Sequence, residues 1–141
     1  MSDSIFTTER TEIAEKATED LNTLSGRIID CALQVHKKLG PGLLESAYCH
    51  GLTYVFSRQE ILFEKEKIIS IHIDNCQIDA GYRADFIIDD KILLEVKSVE
   101  KLLPIHEAQL LTYMKLGNYE LGFLLNFNHK LMKDGIKRMR L

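Results

Sequence analysis

The segment ILLEVKSVE, residues 92–100, places a glutamate and a lysine inside one of the most apolar runs of the chain. Side chains of a β-strand alternate between two faces, so Glu95 and Lys97 should point the same way. Burying an ionised pair generally costs more free energy than apolar residues would in the same positions. These residues therefore indicate one of two things: a solvent-facing strand edge with a Glu95–Lys97 salt bridge, or a functional site. The tripeptide alone favours the salt bridge.

The preceding residues, YRADFIIDDK, predict a hairpin partner for this strand. A three-residue loop at 89–91 pairs Ile88 with Ile92, sets Asp85 directly across from Glu95, and sets Arg83 across from Lys97. A two-residue loop would instead mix the polar and apolar faces. The same alternation puts Asp85 on one face with Arg83 and Ile87, and the opposite face is predicted to hold Tyr82, Ala84, Phe86 and Ile88.

Two carboxylates facing each other across strands repel, so their pairing needs a compensating charge. A divalent cation between Asp85 and Glu95 would supply it, and hard oxygen ligands suit Mg²⁺ or Mn²⁺. In this hypothesis Lys97 orients or helps to deprotonate a water, or stabilises the charge on a phosphate. The hairpin therefore indicates a divalent-cation site, and the matching position of Asp85 weakens the simple salt-bridge explanation.

Hydrophobic periodicity predicts the element order α-α-β-β-β-α-β. Ser25 is the expected N-cap of the first helix, and Gly40 and Pro41 end it. The order indicates an α/β or α+β domain with helices covering a mixed sheet. The predicted elements are helices over 26–39, 43–59 and 105–117, strands over 63–73, 77–88, 91–98 and 119–127, and a weakly amphipathic tail.

The length of 141 residues predicts one domain, assigned to residues 23–141, preceded by an acidic arm over residues 1–22 that is a frayed helix or disordered. The net charge of −3 counts against a self-sufficient nucleic-acid binder. The last sixteen residues carry five bases and one acid, which could contact phosphate, although a solvated terminus explains them more simply.

The cysteines and the apolar runs indicate the cellular compartment of the protein. Cys31, Cys49 and Cys76 are widely spaced and odd in number, which fits reduced thiols better than a disulfide framework or a zinc site. Neither a signal peptide nor a membrane span is expected from the sequence. We therefore expect a cytoplasmic protein with no membrane association.

Two further groups of residues have structural as well as functional explanations. His106, Gln109 and Tyr113 share one face of the third predicted helix, as an ordinary polar face would. Glu45 lies in the first turn of the second helix, where a carboxylate favours the helix dipole. Neither group predicts a site by itself.

The segment GLLESAY, with Gly42, Glu45 and Tyr48, matches the pattern GxxExxY. The segments RADFII, LLEVKS, HEAQLLTYMK and GFLLNF follow it in order. On these motifs, from about Leu24 to near residue 135, the chain resembles the GxxExxY family of small bacterial proteins within the PD-(D/E)xK nuclease-like superfamily. The resemblance implies a restriction-endonuclease-like core. Ala84 stands where the superfamily label has proline, and the cysteine cluster of some relatives is missing.

By position, the resemblance implies that Asp85, Glu95 and Glu45 are acidic ligands of Mg²⁺ or Mn²⁺ and that Lys97 is the catalytic lysine. Gln109 and Tyr113 match a QxxxY element of the recombination-type exonucleases. The full hypothesis is a nuclease acting on DNA, in which Glu45 acts directly or through water. Its remaining candidates are the main-chain carbonyl of Val96 as a third ligand and Arg83 and His106 as substrate contacts.

The alternative is a non-catalytic relative that binds nucleic acid or a protein partner. The acidic composition and the small size favour this alternative, or an enzyme that needs a partner subunit or a homodimer to complete its binding surface. The complete set of two acids and a lysine favours the enzyme.

Overall fold

The computed structural model describes residues 19–141, which form three α-helices and a five-stranded mixed sheet. This is the α+β architecture expected from the sequence, and it is consistent with a restriction-endonuclease-like core. Of the predicted acidic arm, residues 1–18 lie outside the described residues. The elements are α1 (Leu21–Leu39), α2 (Glu45–Arg58), β1 (Phe63–Ile73), β2 (Cys76–Ile88), β3 (Ile92–Lys97), α3 (Pro104–Gly117), β4 (Leu121–Asn126), a 3-10 helix (Met132–Gly135) and β5 (Ile136–Arg140).

The first helix begins earlier than the predicted cap at Ser25, and that prediction was wrong. The carboxylate of Asp20 accepts hydrogen bonds from the amides of Asn22 at 2.7 Å and Thr23 at 3.0 Å, so Asp20 is the N-cap. Ser25 instead lies buried within α1. The predicted end is correct, because Gly40 has a φ of +68° and its amide donates to the carbonyl of His36.

The loop between α1 and α2 is organised by Tyr48. The Tyr48 hydroxyl donates to the carbonyl of Gly40 at 2.6 Å and accepts from the amide of Leu43 at 3.1 Å. Its ring is fully buried and stacks on Phe127 at 4.5 Å. Gly42 has a φ of +95°, a conformation that favours glycine. Tyr48 and Gly42 therefore fix the point at which α2 begins.

The strands lie in the order β1-β2-β3-β4-β5, and β3 and β4 are parallel while the other neighbours are antiparallel. In the β2–β3 hairpin Ile88 pairs with Ile92 and Phe86 pairs with Leu94, which confirms the three-residue loop. β3 lies between β2 and β4, and Glu95 is only 6% exposed. β3 is therefore not the solvent-facing strand edge that a simple salt bridge would need.

The sheet is covered on both faces. One cluster joins α1 and α2 to Phe86, Leu94 and Val96, and a second joins α3 to Ile87 and Leu93. Strand alternation explains why the neighbours Ile87 and Phe86 lie in different clusters. Glu95, two residues from Leu93 along the strand, is accordingly on the α3 side.

The predicted faces of β2 are correct only at its C-terminal end. Tyr82 and Ala84 pack with the α3 cluster rather than with Phe86. The pairing of β1 with β2 omits Glu66 and Asp85, and Glu66 has a φ of +53°. An irregularity of this kind breaks simple alternation. The hairpin thus changes face at the position of Asp85.

The predicted amphipathic tail is a 3-10 helix followed by strand β5 at the edge of the sheet. Lys137 forms an ion pair with Glu107 at 3.3 Å, and Arg140 forms one with Glu120 at 2.6 Å. Charged residues on an edge strand oppose edge-to-edge association. Within residues 19–141, the helices are too short or too polar to span a membrane.

Tyr48→Phe should lower the free energy of unfolding by about 1–3 kcal/mol, because the loop loses the hydroxyl that bonds Gly40 and Leu43. Urea denaturation measures this difference. Tyr54→Phe is the matched control, since Tyr54 lies on the same helix and is 63% exposed, and it should change stability by less than about 0.5 kcal/mol. Equal effects of the two substitutions would contradict the structural role of Tyr48.

Candidate active site

Asp85 and Glu95 lie where β2 and β3 separate. The β2–β3 ladder ends at the pair Phe86–Leu94. Beyond it, the Asp85 carboxylate accepts from the amide of Val96 at 2.7 Å, and the Glu95 carboxylate accepts from the amide of Asp85 at 3.2 Å. Each carboxylate is thus hydrogen-bonded to the opposite strand. The structure brings the two acids together, as the three-residue loop predicts.

The expected pairing of Arg83 with Lys97 is not formed, because the hydrogen-bonded ladder ends before it reaches them. Arg83 instead pairs with Ile68 of β1. Its guanidinium lies 3.9 Å from the Glu66 carboxylate, and both side chains are largely exposed. Arg83 is therefore outside the cluster formed by the two acids.

Burial dominates the electrostatics of the two carboxyl groups. Desolvation, and then the charge of Asp85, raise the pKa of Glu95 to about 7. Desolvation also raises the pKa of Asp85, against the opposing effects of the Val96 amide and the Lys97 charge. A pair of this kind, with pKa values raised by burial, is typical of functional sites.

Lys97 is the last residue of β3 and lies close enough to favour the charged forms of both Asp85 and Glu95. However, no ion pair shorter than 4 Å joins Lys97 to an acid whose side chain lies in residues 19–78 or 81–141. Its backbone is fixed, because the Lys97 carbonyl accepts from the amide of Phe127 at 2.9 Å. The structure therefore does not support a Glu95–Lys97 salt bridge.

Tyr82 is a site residue that strand alternation misses, since alternation assigns it to the other face. Its ring stacks on Tyr113 of α3 with centroids 3.3 Å apart. The Tyr82 hydroxyl is buried and stabilises the charged form of Glu95, although no atom of the described residues meets strict hydrogen-bonding geometry with it. The stacked tyrosines thus cover the Glu95 side of the site.

Glu45 begins α2, and its charge contributes to the raised pKa of Asp85. Cys49, one turn later, also faces the acids: burial, and then the charge of Asp85, raise its pKa to about 12. Among the described side chains, those of residues 19–78 and 81–141, however, no group of three His, Cys, Asp or Glu is arranged to hold a metal ion. Glu45 thus lies near enough to Asp85 for its charge to act there, but the structure does not assemble the three-carboxylate cluster expected from the sequence.

The predicted polar face of α3 divides into three different environments. Tyr113 belongs to the stack beside Glu95. The ring of His106 accepts from the amide of Leu103 at 3.0 Å and so caps the first turn of α3. Gln109 is exposed. Of these three residues, only Tyr113 lies in the cluster of site residues.

The oxygen atoms at this position are of the chemical kind that binds a divalent cation. In each carboxylate, one oxygen accepts a hydrogen bond from an amide of the opposite strand, and this bond leaves the second oxygen for another ligand. The Val96 amide points toward β2, and an extended residue directs its carbonyl to the same side. Two carboxylate oxygens and one carbonyl are hard ligands of the kind that Mg²⁺ binds while it keeps several waters.

Comparison with known protein families gives a match over most of the chain. A protein-family model described as the PD-(D/E)XK nuclease superfamily matches residues 22–139. This range includes the two acids, Lys97, Glu45 and α3. No curated protein and no solved structure matches the chain.

The raised pKa of Glu95 predicts how stability depends on pH. The folded protein keeps this proton up to about pH 7, whereas the ordinary pKa is 4.5, so stability should fall as pH rises between these values. The loss is on the order of 3 kcal/mol. Glu95→Gln cannot ionise and should therefore be more stable than the wild type at pH 8, with little difference at pH 4.

Urea unfolding at several pH values without divalent cations measures this dependence. Glu100→Gln, an exposed glutamate shortly after β3, is the control and should follow the wild-type profile. A Glu95→Gln profile parallel to that of the wild type would show that Glu95 does not carry the pH dependence.

Proposed function

Because the chain belongs to the PD-(D/E)XK nuclease superfamily, we propose that it is a nuclease that uses Mg²⁺ or Mn²⁺ to hydrolyse phosphodiester bonds, with DNA as its substrate. The observation that carries this proposal is the pair of hydrogen-bonded, desolvated carboxylates at the β2–β3 separation, with Lys97 beside them and not ion-paired to either. Desolvating two acids side by side lowers the stability of the fold, and a catalytic role explains why the protein keeps them there.

Asp85, Glu95 and the Val96 carbonyl would hold the cation in this proposal. When bound, the cation supplies positive charge against the phosphate and lowers the pKa of water. The strand amides fix one oxygen of each carboxylate, so the acids are positioned before any ligand arrives. The Glu45 carboxylate, at the exposed start of α2, would act through a water molecule.

Lys97 would place its ammonium group against the phosphate, where negative charge develops during hydrolysis. Its position at the end of β3 is fixed by Phe127 and by the pairing with Asn126. Tyr113 would orient the phosphate or Lys97 from the stack with Tyr82. Gln109, exposed one turn before Tyr113, would contact the substrate.

We also propose that the chain is of the narrower GxxExxY type, and the geometry gives the motif a physical basis. The left-handed Gly42 and the Tyr48 hydroxyl build the loop that precedes α2. Glu45 then emerges exposed at the first position of α2. In this interpretation two residues of the motif are structural and Glu45 is functional.

The second candidate function is a non-catalytic module that binds nucleic acid or a protein partner. The observation that favours it is the engagement of basic residues of β5 in ion pairs with Glu107 and Glu120. A partner subunit or a second copy of the chain would then supply the surface that holds a polyanion. Cleavage assays with the intact protein distinguish the two candidates.

Mn²⁺ should raise the melting temperature of the wild type, because a ligand that binds only the folded state stabilises it by about 2.7 kcal/mol at a hundred times its Kd. Asp85→Asn and Glu95→Gln each remove one acidic ligand and should show less than about half of that shift. Differential scanning fluorimetry with and without EDTA measures it. Glu100→Gln should behave as the wild type, and equal shifts in all four proteins would place the cation elsewhere.

Lys97→Ala should reduce cleavage by about a hundredfold or more, as expected for the loss of one charge that stabilises the transition state. Its stability should change little. The assay uses single- and double-stranded DNA and RNA with Mg²⁺, Mn²⁺ or EDTA.

Val96→Ala, at the neighbouring buried position, should instead lower the free energy of unfolding by about 1–3 kcal/mol. If Lys97→Ala is largely unfolded but its folded fraction still cleaves, Lys97 is a structural residue. A wild type that binds Mn²⁺ but cleaves none of the substrates would favour the binding module.

A further inference from the structure

The chain leaves the sheet at Lys97, and the next residue makes a short contact with a distant loop. The Ser98 hydroxyl donates to the carbonyl of Leu43 at 2.6 Å. This distance is at the short end of the range for hydroxyl–oxygen hydrogen bonds. The bond joins the residue after Lys97 to the loop that precedes Glu45.

The loop side of this contact is held from two directions. The Leu43 amide donates to the Tyr48 hydroxyl, and the Leu43 carbonyl accepts from Ser98. Glu45 follows only two residues later, at the first position of α2. The peptide groups flanking Leu43 therefore set where the Glu45 backbone lies.

The strand side is held equally firmly. The side-chain amide of Asn126, which is fully buried, accepts from the Val99 amide at 3.1 Å and donates to the Val99 carbonyl at 2.9 Å. The Lys97 carbonyl is bonded to the amide of Phe127. Ser98 therefore lies between two fixed residues.

From these contacts we infer that Ser98 is a positioning residue, which ties the Lys97 end of β3 to the loop that carries Glu45. The inference rests on the proposed function, in which Glu45 and Lys97 act on the same bound ion and phosphate. The two residues belong to separate elements, α2 and β3. Small misplacements of such groups are costly, so the hydroxyl sets a distance that the catalytic groups alone do not fix.

Ser98→Ala should weaken Mn²⁺ binding about three- to tenfold, measured by titration calorimetry on the intact chain, since one hydrogen bond is lost. Ser98→Thr keeps the hydroxyl and should bind Mn²⁺ within about twofold of the wild type. Ser57→Ala removes an exposed hydroxyl near the end of α2 and should have no effect.

The distinguishing experiment is a double-mutant cycle with Glu45→Gln. Because Ser98 acts through the position of Glu45, Ser98→Ala should change Mn²⁺ affinity by less than about twofold when Glu45 is already replaced. Where cleavage is measured, Ser98→Ala should lower kcat with little change in KM. Additive effects in the cycle would overturn the inference.

The outcomes separate the inference from the proposed function. A wild type that binds Mn²⁺, with Ser98→Ala binding it equally well, would overturn only the role of Ser98. Lower thermal stability of Ser98→Ala at unchanged Mn²⁺ affinity would do the same, since the bond would then be purely structural. A wild type that binds no Mn²⁺ would overturn the proposed function and this inference together.

Discussion

Two hydrogen bonds between side chains and strand amides determine how the site is built. Where the β2–β3 ladder stops, the Asp85 carboxylate takes the amide of Val96 and the Glu95 carboxylate takes the amide of Asp85. Charge-assisted bonds of this kind are stronger than bonds between neutral groups. They satisfy amides that the parting strands would otherwise leave without a partner, and they hold both acids in place. The acidic pair is therefore part of the hydrogen bonding of the sheet.

The packing around this pair explains its electrostatics. Leu93 packs against α3 on one face of β3, and Leu94 and Val96 pack against α1 and α2 on the other. Glu95 is consequently desolvated, and the stacked ring of Tyr82 closes off its surroundings further. The strand hydrogen bonds offset only part of the cost, so the pKa of Glu95 remains raised. A divalent cation between the two acids would lower the electrostatic cost of holding them in this position.

Much of the hairpin could be predicted from the sequence, because strand parity and a short polar loop leave few registers open. The face of β2 on which Tyr82 lies could not be predicted. Alternation assumes a regular strand, and the left-handed Glu66 opposite Asp85 breaks that regularity. The sequence does not predict β5 as a strand. Charged residues are common on edge strands, and in the sequence the same residues cannot be told from a solvated basic tail. The GxxExxY motif identifies Glu45 and Tyr48. Their different roles depend on contacts of the Tyr48 hydroxyl, which the sequence does not reveal.

The charge distribution limits how such a site could hold a polyanion. Lys137 and Arg140 are engaged with acids of α3 and the α3–β4 connection, so a phosphate would have to compete with those ion pairs. The proposed site itself begins with two carboxyl groups, which repel phosphate when they are ionised. In the proposed function, a divalent cation neutralises the two carboxylates and leaves the charge of Lys97 uncompensated. Cation and phosphate then each favour the binding of the other. Such coupling is reciprocal by thermodynamic necessity. Affinity for nucleic acid would then depend on the divalent cation rather than on the protein's own surface charge.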